Sequence, residues 1–370
     1  MSHARLSPSA AHRWLHCPGS VNAEAGLPDT SSSAAREGSA AHELAELALN
    51  SNGSCFGFIG KPLIEWNEFT VDEEMASYVQ EYVDYVIALG GEQAYEVGVS
   101  YDKWVDGGQG TSDAIVLVGD TLYVVDLKYG KGVQVFAENN EQAQLYALGA
   151  LDEYSFADIK KVVIVIVQPR LDHIDEWETT PDQLYKFGEF ASQQAELCND
   201  PDAPLVPGEK QCHWCKARAT CPAQKRYTEE VMLAHFDNLD DAPSPNKLTD
   251  ADLRKALEAK KIITGWLDAV ENLIVERLNA GEDFEGFKLV AGRSLRQWGD
   301  ENEAAKLLES EVGDKAYSKK LLSPAQAEKL LGKKKQNVLE PLIVKPEGKP
   351  TLAPASDKRP AVNVSLSDFD

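Results

Sequence analysis

Residues 110–128 read GTSDAIVLVGDTLYVVDLK, two β-rich runs, DAIVLV and TLYVVDLK, separated by Gly119-Asp120. A glycine at the first central position suits a two-residue type II′ hairpin turn. With Val118 opposite Thr121, opposed positions keep a constant sum, which sets Asp113 opposite Asp126 on one sheet face. A loop of odd length would send them to opposite faces. Directly opposed side chains have Cβ atoms about 4.5–5.5 Å apart, so two ionised carboxylates there repel unless a cation lies between them. Mg²⁺ or Mn²⁺ fits, because these hard ions take oxygen ligands and bridge to phosphate. Lys128, two residues beyond Asp126, shares that face, where its ammonium can orient water or stabilise charge on a phosphorane-like transition state. Any one of these residues alone reads as a solvated strand end. The triplet points to chemistry.

Outward from the hairpin, AYEVGVSY (94–101) and KVVIVIVQ (161–168) add strands, and 139–151 reads as a capped helix placed before the last strand. Helical periodicity runs through 36–50, 72–89 and 180–197. Together these predict an α/β fold, a mixed sheet flanked by helices. The first domain is expected over 1–227, with a linker at 228–246 where DNLDDAPSPN breaks every apolar period. A helix-rich accessory domain follows at 247–340. It opens with a long amphipathic helix over 248–279, stopped by Gly281, and continues with a short hairpin, FKLVAGRSLRQW. A Pro-rich flexible tail closes the chain at 341–370.

The chain has 370 residues, 43% of them hydrophobic, and a formal net charge of −23. That is enough to bury a core, and the charge disfavours generic binding to polyanions. It leaves room for a local site, since bound divalent ions reverse the field where phosphate enters. The longest aliphatic run, 162–167, cannot span a bilayer, and the first residues lack a signal-peptide stretch, so a cytoplasmic location without membrane partners is expected. In that compartment disulfides are disfavoured, and the six cysteines read better as metal ligands with two to spare. Cys17, Cys212, Cys215 and Cys221 are the candidate ligands; Cys55 and Cys198, without partners at ligand spacing, read as packing.

The motif residues resemble those of the PD-(D/E)xK nucleases, and within them the RecB-like branch. Gly110-Thr-Ser-Asp113 is similar to that branch's GxxD, with Ser112 where the superfamily name has proline, and Asp126-Leu-Lys128 matches its (D/E)xK. Gln142-x-x-x-Tyr146 is similar to the helical QxxxY motif, two side chains on one helix face. Gly38-x-x-x-His42 is similar to the upstream histidine motif. The resemblance implies a restriction-endonuclease-like fold, a Mg²⁺ or Mn²⁺ ion held by His42, Asp113 and Asp126, and Lys128, Gln142 and Tyr146 as further catalytic residues. Glu96, on the preceding strand, is a weaker candidate acid. Cys212-x2-Cys215-x5-Cys221 with the remote Cys17 is similar to the split cysteine set of the iron-sulfur members, AddB and the nucleases of CRISPR spacer acquisition among them. This implies a [4Fe-4S] cluster that ties the two ends of the domain together, with tetrahedral zinc as the alternative. From Leu248 onward the chain is similar to an uncharacterised family of phage and prophage proteins.

The leading expectation is a metal-dependent deoxyribonuclease, an exonuclease acting on single-stranded or duplex DNA ends in phage replication or recombination within the host cytoplasm. The alternative is a cluster-stabilised DNA-end-binding or accessory module, active only beside a helicase, recombinase or single-strand-binding partner, or not at all. No GxxxxGK[ST] loop is present, so any unwinding falls to another chain. Lys288, Arg293, Arg296 and Lys333–Lys335 are candidate backbone contacts, with Trp298 a candidate for base stacking.

Overall fold

The computed structural model describes residues 5–28, 32–235 and 249–290. Five strands form one sheet in sequential order: β1 (Glu92–Ser100), β2 (Gln109–Val118), β3 (Thr121–Leu127), β4 (Lys161–Gln168) and β5 (His173–Thr179). The helices are α1 (Ala11–Trp14), α2 (Ser20–Ala23), α3 (Ser33–Leu49), α4 (Glu73–Leu89), α5 (Glu141–Glu153), α6 (Pro181–Leu197), α7 (Glu209–His213), α8 (Pro222–His235) and α9 (Asp250–Asn279). β1, β2 and β3 are an antiparallel meander, β3 and β4 run parallel, and β5 returns antiparallel. The mixed α/β architecture is the one the sequence predicts.

The hairpin forms in the expected register, with Val118 paired to Thr121 and Ala114 to Val125. Gly119 supplies the positive φ of 62° that the turn demands, and Asp120 keeps φ negative, the type II′ pattern. The parallel step from β3 to β4 requires a crossover, and α5 provides it. Asn140 caps that helix by accepting a 3.0 Å hydrogen bond from the Ala143 N–H. β4 is buried along its length after Lys161: Val162, Ile164 and Ile166 pack with α5 and α6, while Val163, Val165 and Val167 pack with α3 and α4. Such two-sided burial is what a near-continuous aliphatic run in a sheet interior indicates.

β5 was not foreseen. Its residues, HIDEWET, alternate between half-buried positions, among them Asp175, which accepts from the Ala137 N–H, and exposed ones, among them Glu176 and Glu178. Charged side chains there blunt the edge against pairing with another chain, which also masks the strand in a hydrophobicity reading.

By contacts the chain divides into Met1–Leu289 and Val290–Asp370. α8 extends through to His235, well into the stretch expected as linker, and Thr228 hydrogen-bonds back to the Gln224 carbonyl within it. α9 belongs to the first unit, where an accessory domain had been expected to begin at 247. It packs on the segment before it: Gln224 Nε2 donates to the Ile262 carbonyl and Trp266 Nε1 to the Ala219 carbonyl, both at 3.3 Å, and Lys261 pairs with Glu209. Phe287–Val290 carry no strand. The rest of the expected hairpin, Arg293, Arg296, Trp298, Lys333–Lys335 and the tail from 341 lie outside the described residues. No helix among the described residues is long and apolar enough to cross a membrane.

Candidate functional site

The site forms where the faces of β1 and β2 change over. Tyr95 packs with the α3–α4 side, yet Val97 and Val99, which share its parity, pack on the α5 side. β2 behaves alike: Ala114 and Val116 lie with α3 and α4, whereas a Cβ on Gly110 would meet Pro8 and the Tyr146 ring of α5. Between these residues stand Glu96 and Asp113, and Glu96 has φ 46°. A non-glycine residue in the left-handed region costs on the order of 1 kcal/mol, and such strain collects at functional sites. The register is kept on either side, Tyr95 with Ala114 and Val97 with Ser112, so Glu96 and Asp113 are brought level with each other.

Asp113 is the hub. Its Oδ2 accepts from the Leu127 N–H at 2.7 Å, which prolongs the β2–β3 association past its last backbone pair, and its Oδ1 lies 3.1 Å from His42 Nδ1 on α3. Ligand atoms of His42, Glu96 and Asp113 all lie within 4.8 Å of one another, the separation a shared metal ion needs. Asp126 stands outside this trio, although sequence reasoning placed it with His42 and Asp113. It is 2% exposed, and its Oδ2 sits 2.8 Å from Lys128 Nζ, at ion-pair distance but without a well-directed hydrogen bond. Lys128 Nζ also donates to Gln142 Oε1 at 3.0 Å, and Gln142 Nε2 donates to the Tyr146 hydroxyl at 3.1 Å. Asp126, Lys128, Gln142 and Tyr146 are therefore one chain of contacts on the α5 side, meeting Asp113, Glu96 and His42 from the α3 side. Gly110 of GxxD is needed because a Cβ there would lie 2.9 Å from the Tyr146 ring. Over Gly38, one helical turn before His42, there is open space.

The charges set one another. Burial opposes ionisation of Asp113, but His42, Lys128 and the Leu127 N–H together hold it below the usual carboxylate range. Burial pushes Asp126 up, against the pull of Lys128. His42 is disfavoured as a cation by burial, yet Asp113 and then Asp126 raise it to about 9. Burial, reinforced by the Asp113 charge, raises Glu96 to about 7. Burial also opposes the Lys128 ammonium, and Asp126 and Asp113 more than offset it. The buried hydroxyls of Tyr82 and Ser112 have no hydrogen-bond partner among the described residues, and Tyr82 lines the cleft with His42, Glu96 and Asp113. The orphaned Tyr82 hydroxyl beside an oxygen-and-imidazole donor set fits a hydrated divalent ion. Sequence reasoning underweighted Glu96; its signal is position, an acid on the strand next to GxxD.

The second constellation joins the two ends of the domain. Cys17, Cys212, Cys215 and Cys221 line one cavity between the α1–α2 segment and residues 205–224. The Val206 N–H donates to Cys17 Sγ at 3.2 Å and the Gly208 N–H to Cys212 Sγ at 3.4 Å. The segments are stitched around it: Arg13 pairs with Glu24 at 2.9 Å, the Lys216 N–H donates to Glu24 at 2.7 Å, and the Gly19 N–H donates to the Pro204 carbonyl at 3.0 Å. Gly19 is obligatory there, since a Cβ would lie 2.4 Å from the Ala203 carbonyl oxygen. Burial raises the Cys17 and Cys212 thiols and takes Cys215 up to about 12, so stable thiolates here need a positive partner. Cys55 and Cys198 are fully buried, one in each hydrophobic cluster, which is the packing role the sequence predicts for them.

A family model described as a protein of unknown function (DUF2800) matches residues 3–360, and the chain belongs to that family. Among solved structures, one titled as the crystal structure of SSO0001 is similar at 19% identity over 57% of this chain and 83% of that chain, with a TM-score of 0.27.

Proposed function

We propose that this chain is a Mg²⁺- or Mn²⁺-dependent deoxyribonuclease, a phosphodiester hydrolase that trims DNA ends as an exonuclease. The observation that carries this reading is the trio His42, Glu96 and Asp113, with ligand atoms within 4.8 Å of one another, next to an ammonium fixed between Asp126 and Gln142. A divalent ion held by the trio supplies Lewis acidity and acidifies water. Asp113 enters the site already ionised and keeps one oxygen on the Leu127 N–H, which fixes its orientation. His42, which Asp113 holds toward its protonated form, would have to lose a proton before its imidazole could serve as a ligand. An ammonium has three N–H donors; with Gln142 accepting one and Asp126 standing by as counter-ion, Lys128 has donor capacity left for charge developing on a phosphate oxygen. Tyr146 anchors Gln142, so α5 fixes where that donor points.

The resemblance to RecB-like nucleases supports the same reading, together with a role in phage replication or recombination in the host cytoplasm. The four cysteines supply the thiolates for a [4Fe-4S] cluster in a structural role. The test is degradation of end-labelled single- and double-stranded DNA in Mn²⁺. Activity should vanish in EDTA and in Asp113→Ala, and fall steeply in Lys128→Ala; full activity in either EDTA or Lys128→Ala refutes the reading. A second reading, DNA-end binding without turnover, is favoured by the engagement of Asp126 with Lys128 apart from the trio. Gel-shift binding without degradation, unchanged by Asp113→Ala, would select it.

A further inference from the structure

The Arg218 Nε–H, which lines the four-cysteine cavity and is buried at that atom, has no partner among the described residues, and the Ser20 hydroxyl, on the same cavity, has no partner there but the Cys17 thiol. An unmade buried hydrogen bond costs about 1–3 kcal/mol, so an orphaned guanidinium N–H on this cavity marks where a bound group supplies the acceptor. Ser20 is 2% exposed and lies against the Cys17 thiol, whose ionisation it favours. Arg218, between Cys215 and Cys221 in the chain, brings a positive charge that acts on the Cys212 thiol, as Arg13 does on Cys215.

Arg218 is placed by α9. A Cβ on Gly265 would lie 2.0 Å from Arg218 Nη2 and 2.5 Å from its Cζ, so the guanidinium rests on the bare backbone of that helix. Glycine in a helix interior costs about 1 kcal/mol against alanine, a cost this contact explains. On either side the helix is pinned, by Gln224 to the Ile262 carbonyl and by Trp266 to the Ala219 carbonyl. Gln224 lines the same cavity, and its amide ties the wall of the cavity to α9.

We propose that Ser20 and Arg218 donate hydrogen bonds to the sulfur atoms of the metal-sulfur group held by Cys17, Cys212, Cys215 and Cys221, and that α9, through Gly265, sets the Arg218 position and with it the group's reduction potential. This rests on the cluster part of the proposed function. Net charge and hydrogen bonds to sulfur are the main levers on such potentials. A cation and a donor at the sulfurs favour the reduced, more negative state.

The experiment compares the full chain with Arg218→Gln, Arg218→Lys, Gly265→Ala and Ser20→Ala, all purified anaerobically, by iron content and by redox titration followed by electron paramagnetic resonance. In Arg218→Gln the reduced-to-oxidised ratio at fixed ambient potential should fall about tenfold, a shift of about 59 mV to lower potential for one electron. Gly265→Ala should move the potential the same way with helical content retained, because it displaces the guanidinium while improving the helix. Ser20→Ala should shift it less, and Arg218→Lys should lie nearer wild type. An iron-loaded Arg218→Gln with the wild-type potential overturns the proposal while leaving the cluster reading intact, and an unshifted Gly265→Ala overturns the part played by α9. If Arg218→Gln does not load iron, Gly265→Ala and Arg218→Lys carry the comparison. Wild-type protein that holds zinc in place of iron overturns this proposal and the cluster reading together.

Discussion

Replacing Lys128 with methionine removes the ammonium, keeps the aliphatic stem, and shows what the Asp126 carboxylate costs when left alone. Asp126 is 2% exposed and its Oδ2 has no well-directed hydrogen bond, so Lys128 Nζ at 2.8 Å is its main compensation. Removing one partner of a buried ion pair destabilises by about 3–5 kcal/mol. The Lys128 side chain is 25% exposed, and the water reaching it screens the pair, which brings the expected loss toward about 2–3 kcal/mol. The loss should depend on pH. Burial already raises Asp126, and without Lys128 it rises further. A carboxyl whose pKa is higher folded than unfolded binds protons more tightly in the folded state, so stability is regained as pH falls through the folded value. Urea unfolding in EDTA across the range from mildly acidic to neutral reads this directly: the deficit of Lys128→Met should shrink on acidification, and Asp126→Asn added to it should recover much of the difference. A deficit below about 0.5 kcal/mol, ordinary for a surface change, or one that ignores pH, would refute the reasoning.

In metal-free wild type, the stability His42 gains from Asp113 is fully present below its ordinary value of 6.5 and is lost as pH rises through about 9; the Glu96 penalty is absent below 4.5 and grows as pH rises through about 7. Thermal melts in EDTA should therefore show falling stability from mildly acidic to alkaline pH, with a flatter profile in His42→Gln and Glu96→Gln. Gly110→Ala places a Cβ 2.7 Å from Pro8 and 2.9 Å from the Tyr146 ring, and should cost about 1–3 kcal/mol by overpacking. By disturbing the Tyr146–Gln142–Lys128 chain it should also lower turnover, measured on end-labelled DNA at saturating substrate. Cys17→Ser should lose bound iron and render both the α1–α2 segment and residues 205–235 sensitive to limited proteolysis, whereas Cys55→Ser should keep its iron.

The hairpin was legible because a two-residue turn and a constant-sum register are local properties: Gly119 fixes the turn, and Val118 opposite Thr121 fixes the rest. The spacing of Gln142 and Tyr146 was legible for the same reason, since four residues on one helix share a face. What escaped depended on contacts between distant segments or on broken periodicity. The left-handed conformation of Glu96, which stands level with Asp113, is announced by no composition rule. Glu96, a weaker candidate in the sequence, lies in the trio with His42 and Asp113. β5 hid behind its charges. The use of Gly265 depends on Arg218, a residue of a distant segment, lying against it, and the packing of α9 on the cysteine segment joins stretches that the sequence reading had assigned to separate domains.

The account stands on His42, Glu96 and Asp113 gripping a divalent ion, and titration of the protein with Mn²⁺, followed by electron paramagnetic resonance and calorimetry, addresses that with no need for a substrate. One saturable site is expected in wild type, weakened by at least about tenfold in Glu96→Gln and in Asp113→Asn, with a proton released on binding. Equal Mn²⁺ affinity in wild type and both variants would contradict it.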